Sequence, residues 1–287
     1  MNNIALGKYI PGNSFIHRLD PRSKIFIMIL LMITIFWNVG SFFKFPVYIV
    51  LSIIVYILLR IAGIALKTIL KSLKPMIFMM IFLFIINIFV YKEGPILFTI
   101  PFINFSLYLE AVTQTVFIII RLALMLAVTT ILTTTTKPLD MTYGLEWYMN
   151  PLKIIRFPAH EIAMTISIAL RFIPTILEET QRIIKAQKSR GVDLENGKLR
   201  EKIGAIISLL IPLLISSFQR SEELSDAMEA RGYNPSAKRT RYRLLKFSYI
   251  DLLSALVTIS LLVGVIFIKI YNLELQMFIF KIVEWIF

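Results

Sequence analysis

The run AVTQTVFIIIRLALMLAVTTILTTTT, residues 111–136, carries one charged side chain, Arg121. At 1.5 Å rise per residue, a helix of that length exceeds the roughly 30 Å hydrocarbon core of a bilayer, which takes about 20 apolar residues. That reading decides the fold. Segments 24–40, 45–66, 75–91 and 249–270 qualify or nearly do, which makes about five transmembrane helices. Composition agrees: 57% of residues are hydrophobic, the mean hydropathy is +0.76 and only 17% are charged, against about a quarter in an ordinary soluble domain. The 22 phenylalanines suit lipid-facing helices. The fold class is therefore an all-α integral membrane protein with an added domain of long amphipathic helices. Residues 1–23 hold no apolar run ending in a small-residue cleavage site, so the first span is expected to stay in the mature chain.

Lysine and arginine set the orientation, because they are retained on the cytoplasmic side. Lys8, Arg18, Arg22 and Lys24 precede the first span, and Arg60, Lys67, Lys71 and Lys74 lie between the second and third. Residues 137–246 hold most of the remainder, while the opposite loops contribute only Lys44 and Lys92. The N-terminus and the polar region are thus expected in the cytoplasm, the C-terminal tail outside, and the whole in the cell membrane. This asymmetry absorbs most of the +13 net charge, leaving no basic groove for nucleic acid. The chain has no cysteine, which excludes disulfides and zinc–thiolate sites, and its two histidines, His17 and His160, offer little for a metal. Three parts follow: an N-terminal bundle of four spans (1–136), a cytoplasmic domain (137–247), and a C-terminal span with its tail (248–287).

The middle part contains two long apolar stretches that resist assignment as spans. Residues 203–218 are free of charge but only 16 in number, about 24 Å of helix, and cations flank both ends. A buried or interfacial helix fits better. Residues 154–177 are interrupted by Arg156, His160, Glu161 and Arg171, while Ile162, Ile166, Leu170, Ile173 and Leu177 recur at helical spacing. The pattern predicts two long amphipathic helices, about 158–190 and 199–231, joined by a polar turn at 192–197. Pro174 and Pro212 fall inside them and should bend them.

Both helices end alike, on Ala186-Gln187-Lys188-Ser189-Arg190-Gly191 and Ala227-Met228-Glu229-Ala230-Arg231-Gly232. Gly191 and Gly232 suit the left-handed position just past a helix, and Arg190 and Arg231 suit the negative end of its dipole. Either ending alone is accounted for as a cap. The repetition is not, because in each copy an alanine four residues before the arginine (Ala186, Ala227) and a small residue beside it (Ser189, Ala230) line one narrow face. Such a face admits another backbone closely.

With Leu19-Asp20-Pro21-Arg22-Ser23-Lys24, Ala169-Leu170-Arg171-Phe172-Ile173-Pro174, Ile211-Pro212-Leu213-Leu214 and the run from Ala227 to Tyr233, these endings give the chain a resemblance over nearly its whole length. It resembles the transmembrane coupling subunit of energy-coupling factor (ECF) importers of vitamins and metals. Ser189 stands where that motif commonly has alanine. The resemblance implies two cytoplasmic ABC-type ATPase subunits that bind the small-Arg-Gly tips, and a separate membrane subunit, the S component, that captures substrate. ATP would be bound by the ATPases, with no cofactor on this chain.

Other landmarks are plainer. Asp20-Pro21 reads as an N-cap and first-turn proline, with Arg22 as a surface anchor or subunit contact. Arg121 is costly in mid-span without a partner, and Asp251 or a threonine of 129–136 is a candidate. Glu178, Glu179, Glu222 and Glu223 are expected to solvate helix faces, and the outer loop 92–110 is too apolar to run free in water. There is no Gly-x-x-x-x-Gly-Lys-Ser/Thr phosphate loop. His160-Glu161 starts a zinc-protease pattern whose second histidine would fall at Met164. A membrane enzyme or a secondary transporter are the alternatives; they require convergent polar groups at the membrane face or ionisable groups at mid-membrane.

Overall fold

The structure is a computed structural model that describes residues 9–37, 39, 43–92, 95–100, 105–155, 157–192, 199–234 and 247–286. In chain order the helices are α1 (Phe15–Arg18), α2 (Pro21–Phe36), α3 (Lys44–Ile61), α4 (Leu66–Leu73), α5 (Ile77–Val90) and α6 (Leu109–Thr135). They continue with α7 (Pro138–Met149), α8 (Ala159–Ser189), α9 (Leu199–Ala230) and α10 (Tyr249–Ile286). Two compact units emerge, one from Lys8–Lys137 and Leu245–Phe287, the other built on Pro138–Leu244.

In the first unit α2, α3, α4 and α5 all pack on α6, and α10 packs on α2. Leu124, Val128 and Ile131 recur along one face of α6 and meet Leu31 and Ile35 of α2 and Leu51 and Val55 of α3 in one buried cluster. Helix α2 begins as its sequence directs. Pro21 occupies the first turn and the Asp20 carboxylate accepts from the Arg22 amide at 2.9 Å, satisfying a donor that the helix leaves open. One end of the unit is tied by polar groups: Asp251, 2% exposed, accepts from the backbone amides of Asp20 and Ser248, both at 2.8 Å. Close by in the sequence, Lys24 Nζ donates to the Thr135 carbonyl at 3.0 Å. Asp251 is therefore a clasp between the starts of α2 and α10 and not the partner of Arg121.

Arg121 is held elsewhere. Its Nε and Nη2 donate to the Tyr48 hydroxyl at 2.9 and 2.6 Å, that hydroxyl donates to the Ile35 carbonyl at 3.2 Å, and the guanidinium lies over the rings of Phe36 and Tyr48. The threonines of α6 instead donate to carbonyls of their own helix, as Thr129 does to Met125 and Thr130 to Leu126. A tyrosine three helices away by sequence is not a signal that spacing along one helix can give.

Six described stretches are long and apolar enough to cross a membrane: Lys44–Ala62, Leu66–Val90, Leu109–Thr135, Ala159–Ser189, Lys202–Ala230 and Tyr249–Tyr271. The all-α membrane fold is as expected, but membership of the set differs. The segment expected at 24–40 forms only the 16-residue α2. The segment at 203–218 lies inside the 32-residue α9, so the length argument against a crossing holds for the charge-free run and not for its helix. Within the apolar stretch at 92–110, β1 (Ile96–Ile100) and β2 (Phe105–Tyr108) form an antiparallel hairpin with Ile96 opposite Tyr108, which lets apolar residues satisfy their backbone groups locally. Helix α10 continues to Ile286, where a tail had been expected after residue 270.

In the second unit α7 packs on α8 and α8 on α9. Glu146 on α7 meets His160 Nδ1 on α8 at 3.1 Å. Helix α7 was not anticipated, because residues 138–149 show no clear apolar period. Arg156 and most of the turn expected at 192–197 lie outside the described residues.

Candidate functional site

Helices α8 and α9 run through Pro174 and Pro212 without interruption, over 31 and 32 residues. Their side-chain contacts pair Met164 with Tyr233, Phe172 with Arg220, Glu179 with Ser216 and Arg220, and Gln187 with Ser208. Rising numbers on one helix meet falling numbers on the other, so the pair is antiparallel. The Gln187 contact places the α8 ending beside the first turns of α9, and the Tyr233 contact places the α9 ending beside the first turns of α8. Met164 precedes Arg190 by 26 residues, so the two arginines stand about 40 Å apart along the pair.

Each ending has the same backbone. The amides of Gly191 and Val192 donate to the carbonyls of Lys188 and Gln187, both at 3.0 Å, and those of Gly232 and Tyr233 donate to Glu229 and Met228 at 2.8 and 2.9 Å. This crossed pair of bonds is a Schellman cap. It requires a left-handed residue, and φ is +84° at Gly191 and +69° at Gly232. An added Cβ would meet nothing within 4 Å at either glycine, so conformation and not space calls for glycine. Arg190 and Arg231 occupy the C-cap itself, one step beyond the last turn.

A third cap of this kind closes α3, where Gly63 (φ +73°) donates to Arg60 and Ile64 donates to Leu59. Its C-cap residue is Ala62. The cap therefore needs the glycine and not an arginine. Ala186, Ser189, Arg190, Ala227, Ala230 and Arg231 are all exposed, and neither guanidinium makes a hydrogen bond or ion pair among the described residues. Two uncommitted cations stand on rigid ends with small neighbours, an arrangement suited to gripping acidic groups of another chain by charge-assisted hydrogen bonds.

The remaining candidates divide. Pro212 has no amide to offer the Ser208 carbonyl one turn earlier, and Gln187 Nε2 donates to that carbonyl at 3.2 Å. Gln187 also supplies a carbonyl to the cap that precedes its own helix's turn, so the proline of one helix is fastened to the tip of the other. Glu179 does not simply solvate its helix, as was expected; it accepts from Ser216 and pairs with Arg220 at 2.8 Å. Gln187, Ser216 and Arg220 were missed because only the antiparallel register reveals them. Arg171 is exposed and Pro174 lies inside α8. Asp20, Arg22 and Arg121 belong to the first unit, where Arg22 lies over the Phe247 ring.

Membrane-crossing helices and polar chemistry concentrated in two exposed helix ends define a multi-pass helical membrane component. Comparison with known proteins narrows the class. The family described as cobalt transport protein, CbiQ, matches residues 12–242. The energy-coupling factor transporter transmembrane protein EcfT of Bacillus subtilis (strain 168) is 40% identical over 269 residues, 93% of this chain and 98% of that protein. Proteins with the same description from Macrococcus caseolyticus (39% identical; 94% and 99% covered) and Streptococcus thermophilus (40%; 91% and 97%) are similar. The chain belongs to this family of energy-coupling factor transporter transmembrane proteins, and the resemblance carried by its Arg-Gly endings is borne out. It is a transporter subunit that serves as the membrane scaffold of an ECF importer.

Proposed function

We propose that the two tips are the points at which a pair of cytoplasmic ABC-type ATPase subunits holds this scaffold, so that ATP-driven closure of the ATPases moves α8 and α9 and, through them, a substrate-binding membrane subunit. The observation that carries this reading is the duplication of one arginine-bearing cap at opposite ends of an antiparallel pair. A separation of about 40 Å leaves room for one partner at each tip.

The same geometry bears on whether α8 and α9 cross the bilayer. As spans they would put their C-terminal tips on opposite sides of the membrane, and only one tip could reach a cytoplasmic partner. Lying along the cytoplasmic face, both reach it. Their apolar faces support that placement: Ile203, Ile207, Leu210, Leu214 and Phe218 of α9 are 48–68% exposed, a stripe for bilayer and for the S component. The cell membrane, with N-terminus and coupling domain cytoplasmic, follows from the lysine and arginine distribution. ATP belongs to the partners, and the chain carries no cofactor in this reading.

The test is the Arg190→Ala, Arg231→Ala double variant. It should insert in the membrane and lose both ATPase co-purification and ATP-driven uptake. Normal co-purification and uptake would overturn the proposal. Orientation is read separately in this cysteine-free chain: a cysteine at Asn196 labelled by an impermeant reagent from outside intact cells would refute the cytoplasmic placement.

A further inference from the structure

Counting back from each arginine superimposes the two endings. Eight, five and two residues before Arg190 stand Arg182, Lys185 and Lys188; at the same steps before Arg231 stand Glu223, Asp226 and Glu229. All six are exposed. A spacing of three keeps each trio on one flank of its helix over about 9 Å. That flank borders the small-residue face: Ala186 and Ser189 follow Arg182 and Lys185 by four, as Ala227 and Ala230 follow Glu223 and Asp226. Inward positions keep their character, since Ile183 and Leu224 correspond and both are half-buried. The endings thus share a cap and a small-residue face and are opposite in the sign of one stripe.

The fold accounts for one stripe and not for the other. A cation near a helix C-terminus suits the dipole, which explains Lys188 locally, whereas Glu229 in the last turn of α9 opposes it. Among the described residues the ion pairs of α8 and α9 involve Glu146, His160, Glu179 and Arg220, so none of the three acids is neutralised by one. Charge across an interface sets which partner fits more than how tightly it is held. One socket cannot complement both stripes, because an acidic rim that suits α8 meets like charge at α9. We infer that the stripes decide which ATPase subunit takes which tip: the α8 tip seats a subunit whose socket rim is acidic, and the α9 tip a different subunit whose rim is basic. This rests on the docking of ATPases at the Arg-Gly caps proposed above, and adds to it the assignment of each partner.

The test uses the assembled transporter, with a photoreactive benzophenone on a single cysteine at one tip, Ser189→Cys or Ala230→Cys, and mass spectrometry to identify the subunit captured. With native stripes, the two reporters should capture two different ATPase subunits. Reversing the α9 stripe (Glu223→Lys, Asp226→Lys, Glu229→Lys) should lower capture at position 230 about ten-fold, less in high salt, while capture at 189 holds. Reversing the α8 stripe (Arg182→Glu, Lys185→Glu, Lys188→Glu) should do the converse. Reversing both should restore capture at both tips with the subunits exchanged, a gain that misfolding cannot produce. Capture of the same subunit in equal amounts at both native tips would overturn the assignment, as would restored capture without exchange. Undiminished capture at 189 after reversal of the α8 stripe would give its cations to lipid headgroups and overturn the assignment too. Absence of any ATPase at either native tip would instead remove the docking itself, and the assignment with it.

Discussion

Helix α3 ends at Ala62-Gly63 and helix α8 at Arg190-Gly191 with the same crossed hydrogen bonds and the same left-handed glycine. The α9 end repeats the arrangement with Arg231-Gly232. What differs is the residue at the C-cap and its surroundings: an alanine at the end of α3, an exposed arginine beside exposed small residues at each end of the antiparallel pair. Glycine in all three places answers to backbone conformation alone. Arginine in two of them suits the helix dipole but makes no hydrogen bond or ion pair among the described residues, and the function proposed above gives it a partner.

The largest effect expected is the loss of ATPase attachment in the double arginine variant, with thermal unfolding in detergent unchanged; an equal loss from mutating Arg60 near the α3 cap would erase the distinction between the caps. Next come the glycines. Alanine at Gly63, Gly191 or Gly232 should cost each variant about 1 to 2 kcal/mol in unfolding, because each forces a side chain into the left-handed region. Uptake should fall for Gly191→Ala and Gly232→Ala and hold for Gly63→Ala. Uptake lost equally in all three would make the effect one of stability.

Gln187 offers a finer probe. Gln187→Leu leaves the Ser208 carbonyl without its donor and should cost about 1 kcal/mol. Pro212→Ala restores an amide donor within α9, so the loss at Gln187 should shrink in that background. A double-mutant cycle then reads a coupling of about 1 kcal/mol; purely additive costs would detach the proline from the tip. The smallest effect belongs to the Glu179–Arg220 pair. Both side chains are about a quarter exposed, and Arg220→Gln should cost less than about 1 kcal/mol and less still in high salt.

Local chemistry made much of this legible in advance. Helices α8 and α9 fall within a residue of the limits expected from Pro158, the glycines and the apolar period, because caps and prolines act on their own neighbourhood. The Asp20 cap was legible for the same reason. Arg121 was recognised as needing a partner, yet Tyr48 lies 73 positions away and nothing along α6 points to it. Glu179 and Gln187 were likewise opaque until the register of the pair was known. The charge-free run ends at residue 218, but a helix does not stop where charge returns, and α9 carries on to its glycine as Leu199–Ala230, as the cap residues led one to expect.

An antiparallel pair whose two C-termini carry the same cap has an approximate two-fold axis through its middle. Reversing it end for end exchanges one tip for the other while the residues between them differ. A single unduplicated chain can in this way present matching holds to two like proteins related by their own two-fold, and a surface without symmetry, kept between the tips, for a partner that comes singly.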